Sequence, residues 1–177
     1  MQHLPGTDSD STHSDSTFAR RGLIATLLLG LLLSLGTGCG SHTEFDDVRQ
    51  YKIFLEKAKP ALTGMNKARE DLYQVNEPDQ MLPLFRDSLL PRIEELSKAA
   101  NEEKVPAGKL GDIHQGLQNT LNKYAEGTRK LVERLKAAKD DEREQAIVLW
   151  GEEDQKFGKS MSGLVNDLSA YLGELKK

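Results

Sequence analysis

The most regular pattern in the chain runs from Ile147 to Leu175, and it constrains the fold more than any other feature. Large residues recur there in steps of three and four without a slip: Ile147, Trp150, Asp154, Phe157, Met161, Leu164, Leu168, Tyr171 and Leu175. Such steps place side chains on one face of an α-helix. The pattern predicts a long helix, beginning at the acidic run 140–142, that packs one face against other helices.

Three further stripes with this spacing come earlier in the chain. They predict helices from about Glu44, from about Asp79 and from Lys109 to Lys139. Their members are Val48, Tyr51, Leu55, Ala58, Leu62, Met65, Arg69 and Leu72; then Leu82, Phe85, Leu89, Ile93, Leu96 and Ala100; then Leu110, Ile113, Leu117, Leu121, Tyr124, Thr128, Leu131 and Leu135. Four amphipathic helices with short turns predict an all-α, up-down-up-down four-helix bundle over residues 44–177.

Two prolines lie inside the predicted helices, Pro60 in the first and Pro91 in the second. A proline inside a helix removes one backbone hydrogen bond and crowds the carbonyl four residues earlier, so both helices are expected to kink. Asp79 is the expected N-cap of the second helix. The alternative is that one or both helices split, which would give five or six shorter pieces.

Charged residues interrupt two of the stripes, Arg69 in the first and Asp154 in the fourth. Counting from the membrane-distal end of an antiparallel bundle, their depths differ by roughly 10 Å at 1.5 Å per residue. The sequence therefore predicts no close pair. Arg69 is expected to extend to the end of the bundle, and Asp154 is expected to be tolerated rather than required for folding.

The third and fourth helices contain many glycines: Gly111, Gly116, Gly127, Gly151, Gly158, Gly163 and Gly173. Each interior glycine destabilises a helix by roughly 0.8–1 kcal/mol relative to alanine. Gly151 and Gly158 lie on one flank of the fourth helix. One interpretation is close helix–helix approach along this flank; the other is a loosened bundle that accommodates a ligand or a partner helix there.

Catalytic and metal-binding patterns are missing from the sequence of the bundle. Acidic neighbours such as Glu94-Glu95, Glu102-Glu103 and Glu152-Glu153 point in different directions on a helix and are typical of solvated faces. Aromatic residues at helical spacing, Trp150 among them, are more typical of a core than of a ligand cage. A haem held by His114 with Met65 or Met161 is a remaining alternative, with His114 expected at the half-exposed edge of its stripe. The sequence predicts a non-enzymatic protein with no cofactor and no metal, and its net charge of −4 gives no basic footprint for nucleic acid.

The N-terminal region has the three parts of an export signal. The basic pair Arg20-Arg21 comes first, the strongly apolar residues 23–35 follow, and the small residues Thr37 and Gly38 precede Cys39, the only cysteine in the chain. A basic segment, an apolar segment and a small-residue cleavage site are typical of a secretory signal peptide. The alternative is an uncleaved membrane anchor, because residues 22–43 carry no charge and about 20 residues suffice to cross a bilayer.

This order of residues resembles the N-terminus of a bacterial lipoprotein precursor. The resemblance covers the first forty residues, and Gly36 stands where the family prefers leucine. It implies cleavage after Gly38, removal of residues 1–38, and attachment of acyl chains such as palmitate to Cys39. Residues 39–43 would then be a short tether to the extracytoplasmic side of a cell-envelope membrane, and Gly40 favours the outer membrane.

Two functions remain after these exclusions; the sequence favours the first, and the second is the alternative. The first is a membrane-anchored, non-enzymatic envelope lipoprotein whose helical bundle binds another envelope protein as a scaffold, adaptor or inhibitor. The second is a ligand-sensing or carrier bundle, similar to the four-helix extracytoplasmic sensor domains of chemoreceptors. A well-packed core with an exposed apolar stripe would favour the first, and a cavity lined by mixed polar and apolar groups would favour the second.

Overall fold

The computed structural model describes residues 42–75 and 77–175. The helical elements in these ranges are α1 (His42–Tyr73), α2 (Pro78–Pro83), a π-helical segment (Leu84–Leu89), α3 (Leu90–Glu102), α4 (Lys109–Ala137) and α5 (Asp140–Glu174). The predicted signal peptide, its cleavage position at Gly38 and the lipid attachment residue Cys39 lie outside the described residues. None of the described helices combines the length and the apolar character needed to cross a membrane.

The elements form an all-α four-helix bundle, as predicted. Because α2, the π-helical segment and α3 follow one another without a break, they make up the second helix of the bundle. α4 packs against both α3 and α5, and α1 packs against α3 and the π-helical segment. Lys109 at the start of α4 pairs with Glu174 at the end of α5 over 2.7 Å, so these two helices are antiparallel.

The π-helical segment lies immediately before Pro91, the second residue of α3. Its wide turn is closed by the N–H of Leu90, which donates to the carbonyl of Phe85 five residues earlier. Pro91 has no N–H to donate, and in a regular α-helix its ring would crowd the carbonyl of Asp87. The irregularity predicted at Pro91 therefore takes the form of a π-helical turn.

The expectations for the N-cap of the second helix and for Pro60 have different outcomes. α2 begins with Pro78 as its first residue and Glu77 as its N-cap, so the prediction that Asp79 caps this helix is wrong. Proline suits the first helical position because the N–H it lacks would have no intrahelical partner there. Pro60 lies on the exposed side of α1, which continues through it from His42 to Tyr73.

Most residues of the predicted stripes are buried in one continuous core, and the main correction concerns α1. Phe54, Ala61 and Ala68 are buried there although the stripe omitted them, whereas Leu55 and Leu62 are only half-buried. A helix turns by about 20° per heptad relative to a strict seven-residue repeat, so over the length of α1 a single stripe cannot follow the buried face.

The glycine flank of α5 does not approach another helix at Gly151. A methyl group added to Gly151 would meet no atom within 4 Å, and the same holds at Gly127 in α4. Close approach occurs instead at Gly116, where an added methyl would lie 2.7 Å from Cδ2 of Leu164, and at Gly111, where it would lie 2.5 Å from the carbonyl oxygen of Pro106. The close-approach interpretation is therefore wrong for Gly151.

These surroundings predict opposite effects of alanine at two glycines. Gly151→Ala should raise the free energy of unfolding by roughly 0.8–1 kcal/mol, because alanine favours the helix and meets no neighbour. Gly111→Ala should lower it, by roughly 1–3 kcal/mol, because the backbone at Pro106 has to move. Urea denaturation followed by circular dichroism measures both changes, and equal shifts of the same sign would contradict the prediction.

Candidate functional site

A buried ion pair joins Arg69 of α1 to Asp154 of α5. Nε and Nη2 of Arg69 donate to Oδ1 and Oδ2 of Asp154 over 2.6 and 2.9 Å. The hydroxyl of Tyr73 donates to Oδ2 over 2.6 Å, and that of Tyr124 donates to Oδ1 over 2.5 Å. Asp154 is 1% exposed and Arg69 is also buried. Each carboxylate oxygen thus accepts two hydrogen bonds, which fills the roughly four lone-pair sites of the group.

This network contradicts the expectation that Arg69 extends to the bundle end and does not pair with Asp154. The depth estimate assumed that α1 ends at the level where α5 begins. The first turns of α5 instead pack against α2, and there Arg143 pairs with Asp79 over 2.6 Å. Because α5 extends past the end of α1, Asp154 lies at the depth of Arg69.

The network fixes the protonation state of Asp154. Burial by itself would raise the pKa of this carboxyl, but the hydrogen bonds and positive charge of Arg69 and the two tyrosine hydroxyls outweigh it, so the pKa lies below its ordinary value. Burial and the neighbouring carboxylate raise the pKa of Tyr124 well above its ordinary value. Asp154 is therefore ionised and Tyr124 remains a hydrogen-bond donor at neutral pH.

The lowered pKa of Asp154 predicts how stability depends on pH. The unfolded state binds this proton more readily than the folded state, so the stability from Asp154 is fully present above the ordinary value of 3.8 and is lost as the pH falls through the folded value. Urea denaturation at about pH 6 and about pH 2.5 measures how much the free energy of unfolding falls between the two pH values. This fall should be larger for the wild type than for Arg69→Met/Asp154→Leu. Equal losses would contradict the prediction, since the surface carboxylates are common to both proteins.

His114 is buried rather than half-exposed, which corrects the sequence-based prediction; it is 4% exposed. Its Nε2 lies 2.8 Å from the carbonyl oxygen of Ala100 and therefore donates to it, while Nδ1 lies 3.4 Å from the hydroxyl of Tyr51. The Ala100 carbonyl belongs to the last turn of α3, where carbonyl groups find no N–H donor within the helix. A haem iron bound through Nε2 of His114, with Met65 or Met161 as the second ligand, would require breaking this bond.

The acidic neighbours on the helices behave as surface groups. Glu94 pairs with Arg129 over 2.5 Å, Glu95 pairs with Arg92 over 2.8 Å, and Glu153 pairs with Lys156 over 2.7 Å. In 42–75 and 77–175, histidine, cysteine, aspartate and glutamate form no group of three that could hold a metal ion.

A groove of about 330 Å³ runs along the hairpin of α4 and α5. Its apolar lining comes from Tyr124, Leu131, Ala146, Leu149, Trp150 and Phe157, and its polar lining comes from Asn119, Thr120, Lys123, Thr128, Lys130, Arg134, Glu153, Lys156 and Ser160, with Gly127 between them. The rings of Tyr124 and Phe157 stack across the two helices with centroids 4.0 Å apart. The groove thus combines polar and apolar groups.

Two residues of this groove contain buried polar atoms that have no hydrogen-bond partner in the described part of the chain. They are Oγ1 of Thr128, whose residue is 1% exposed, and Nε1 of Trp150, whose residue is 5% exposed. An unsatisfied buried polar atom costs about 1–3 kcal/mol. Both residues line the groove, but the two atoms themselves are buried, so an occupant of the groove would reach them only if side chains moved.

Two secondary stripes in the sequence could have revealed this groove. Thr120, Lys123, Gly127, Lys130 and Arg134 step by three and four along α4, and Ala146, Leu149, Glu153, Lys156 and Ser160 do the same along α5. Each stripe lies beside an apolar stripe of the same helix. Sequence reasoning assigned Trp150, Phe157 and Tyr124 to the core, and the structure places them both in the core and along the groove.

A second cleft lies among α1, α4 and α5. Its volume is about 60 Å³ and its lining is almost entirely apolar, including the half-buried Leu55, Leu62 and Leu164. Only Tyr51 and Lys59 contribute polar groups to this lining, so the cleft offers few groups that could orient a ligand. The α4–α5 groove is therefore the candidate functional site.

Comparison with protein-family models, curated protein sequences and solved structures found no match to the chain.

Proposed function

We propose that this protein is a lipid-anchored, extracytoplasmic binding protein of the cell envelope, and that the α4–α5 groove is its binding site. The observation that carries the proposal is the groove itself, which combines apolar and charged groups. Such mixed lining is typical of ligand sites. It favours the ligand-sensing or carrier function over a purely structural bundle.

Binding without catalysis is supported by the state of Asp154. All of its acceptor positions are occupied by Arg69, Tyr73 and Tyr124, and it is buried behind the groove. A carboxylate in this state would have to lose a bond before it could accept a proton from a substrate. Its role in the proposed function is to hold α1 against α5.

Native mass spectrometry tests the proposed site. The lipidated chain, purified from the cells that produce it, should carry a bound small molecule. Gly127→Leu should abolish it, because the added side chain enters the groove, whereas Gly163→Leu should retain it, because Gly163 is equally open but lies outside the groove. Absence of any adduct on the wild type, or equal occupancy of both variants, would refute this assignment.

The lipid anchor is inferred from the N-terminal pattern, and it makes a separate prediction. The membrane-bound chain should begin at Cys39 and carry the mass of attached acyl chains, since two or more chains hold a protein stably on a bilayer. Cys39→Ala should shift cleavage or release the domain, and Ser41→Ala should do neither. Intact mass spectrometry that shows an uncleaved, unmodified N-terminus in the membrane fraction would favour the transmembrane anchor.

A second function, binding of another envelope protein as scaffold, adaptor or inhibitor, is favoured by one observation. Val148 and Leu149, neighbours on α5, are 65% and 45% exposed. Exposed apolar residues beside a groove are a common feature of protein contacts, although a pair forms only a small patch. Crosslinking in intact cells should then give a partner that Val148→Ser, which does not alter the groove lining, loses and that Gly127→Leu retains.

A further inference from the structure

The groove between α4 and α5 is basic although the chain as a whole is acidic. The full sequence has a net charge of −4, but the groove is lined by four basic side chains, Lys123, Lys130, Arg134 and Lys156, and one carboxylate, Glu153. The local excess of positive charge therefore cannot be a consequence of overall composition.

Half of these basic groups are neutralised by the protein itself. Lys130 pairs with Glu126 over 2.5 Å and Lys156 pairs with Glu153 over 2.7 Å. Neither Lys123 nor Arg134 makes an ion pair or side-chain hydrogen bond within the part of the chain that the structure describes, although the charge of Lys123 also acts on the Glu153 carboxylate and lowers its pKa after Lys156. These two cations are separated by eleven positions on α4, one towards each end of the groove, and each is available to an anion from outside.

A carboxylate or phosphate suits these cations, because hydrogen bonds to an ionised acceptor are roughly twice as strong as bonds between neutral groups. Between the two cations, Leu131, Leu149 and the rings of Tyr124 and Phe157 offer apolar contact.

We propose that the α4–α5 groove binds a small amphipathic anion, in which a carboxylate or phosphate is attached to an apolar body. Either Lys123 or Arg134 binds the anionic group, and the apolar residues of the groove contact the body. This inference rests on the proposed function and specifies its ligand class. A volume of about 330 Å³ lies at the small end of ligand sites, which run from about 300 to 1,000 Å³.

Two sources can supply this chemistry, a free amphipathic acid and the headgroup of an anionic phospholipid. The full chain, reconstituted in phosphatidylcholine vesicles, is titrated with octanoate and with the neutral octan-1-ol, and protein-free vesicles correct for partitioning. Binding is followed by the emission of Trp150, the only tryptophan in the chain. A parallel preparation contains phosphatidylglycerol and no added solute.

Saturable binding of octanoate, at least about tenfold tighter than octan-1-ol (about 1.4 kcal/mol), supports the proposal with a free acid as ligand. An emission change on incorporation into phosphatidylglycerol vesicles, without a response to octanoate, supports it with a lipid headgroup as ligand. In either case Lys123→Gln or Arg134→Gln should weaken the response about tenfold, again about 1.4 kcal/mol. Lys159→Gln, an exposed position on α5 outside the groove, should leave it unchanged.

Equal affinity for octanoate and octan-1-ol overturns the proposal, and so do charge variants that respond like the wild type. Absence of any saturable response to octanoate and phosphatidylglycerol also overturns it. If native mass spectrometry still shows an adduct that Gly127→Leu abolishes, the groove is a binding site for another ligand class. In that case the proposed function stands and only the anionic ligand is refuted.

Discussion

Replacing Asp154 with leucine is expected to lower the free energy of unfolding by about 3–5 kcal/mol. The substitution leaves the Arg69 guanidinium buried without its carboxylate and removes the acceptor of the Tyr73 and Tyr124 hydroxyls. Removing one partner of a buried ion pair leaves an uncompensated charge, which is far more destabilising than losing the whole pair. Urea denaturation at neutral pH, followed by circular dichroism, measures the change.

The matched control is the double variant Arg69→Met/Asp154→Leu. Apolar residues of similar volume can replace a buried ion pair with little loss and sometimes with a gain, so this variant should be considerably more stable than Asp154→Leu alone. If Asp154→Leu unfolds at the same urea concentration as the wild type, the network contributes nothing to folding, and the sequence-based expectation that Asp154 is merely tolerated would be reinstated.

Trp150→Ala is expected to lower the free energy of unfolding by about 3–5 kcal/mol. Trp150 is buried, as its position in the fourth stripe predicted, and its ring packs edge-on against Phe85 with centroids 4.8 Å apart and against Tyr73 at 5.7 Å. Alanine would leave a cavity where α5, α1 and the π-helical segment meet. Thermal and urea denaturation, followed by circular dichroism, measure the loss.

Trp150→Phe provides the comparison for this prediction. Phenylalanine retains most of the ring contacts and removes the unpartnered Nε1 donor, so its cost should be well below that of alanine. In the wild type, emission from Trp150 should be blue-shifted and poorly accessible to a soluble quencher. A red-shifted, fully quenchable emission would show that Trp150 is exposed. It would then remove the reason for the expected effects of Trp150→Ala and Trp150→Phe on stability.

The fold was predictable because each helix carries its own periodic signal. Steps of three and four identified all four helices of the bundle, and Pro91 marked the irregular part of the second helix before the structure located the π-helical turn. The face of α1 was less predictable. Its buried side includes the small residues Ala61 and Ala68, and small residues leave little trace in a pattern read from large side chains.

The candidate site was much less predictable, for two physical reasons. The pairing of Arg69 with Asp154 depends on how far α5 slides along α1, and helix periodicity contains no information about that offset. The groove depends on which of two adjacent stripes on α4 comes to face the matching stripe on α5. The sequence did indicate one related property, since a loosened bundle was one of the two interpretations of the glycine flank of α5, and a methyl group added at Gly151 meets no atom within 4 Å.

Tyr124 belongs to two structures at once, because its ring lines the groove and its hydroxyl binds Asp154. Anything that shifts this ring alters the bond that helps to fix α5 against α1. By thermodynamic linkage the influence of the proposed ligand would run equally in the other direction, so the strength of the Arg69–Asp154 pair would affect the affinity of the groove for that ligand. Under the proposed lipid anchoring, α1 is the helix that follows the tether, and the side chain of Tyr124 would then connect the occupancy of the groove to the helix nearest the anchor.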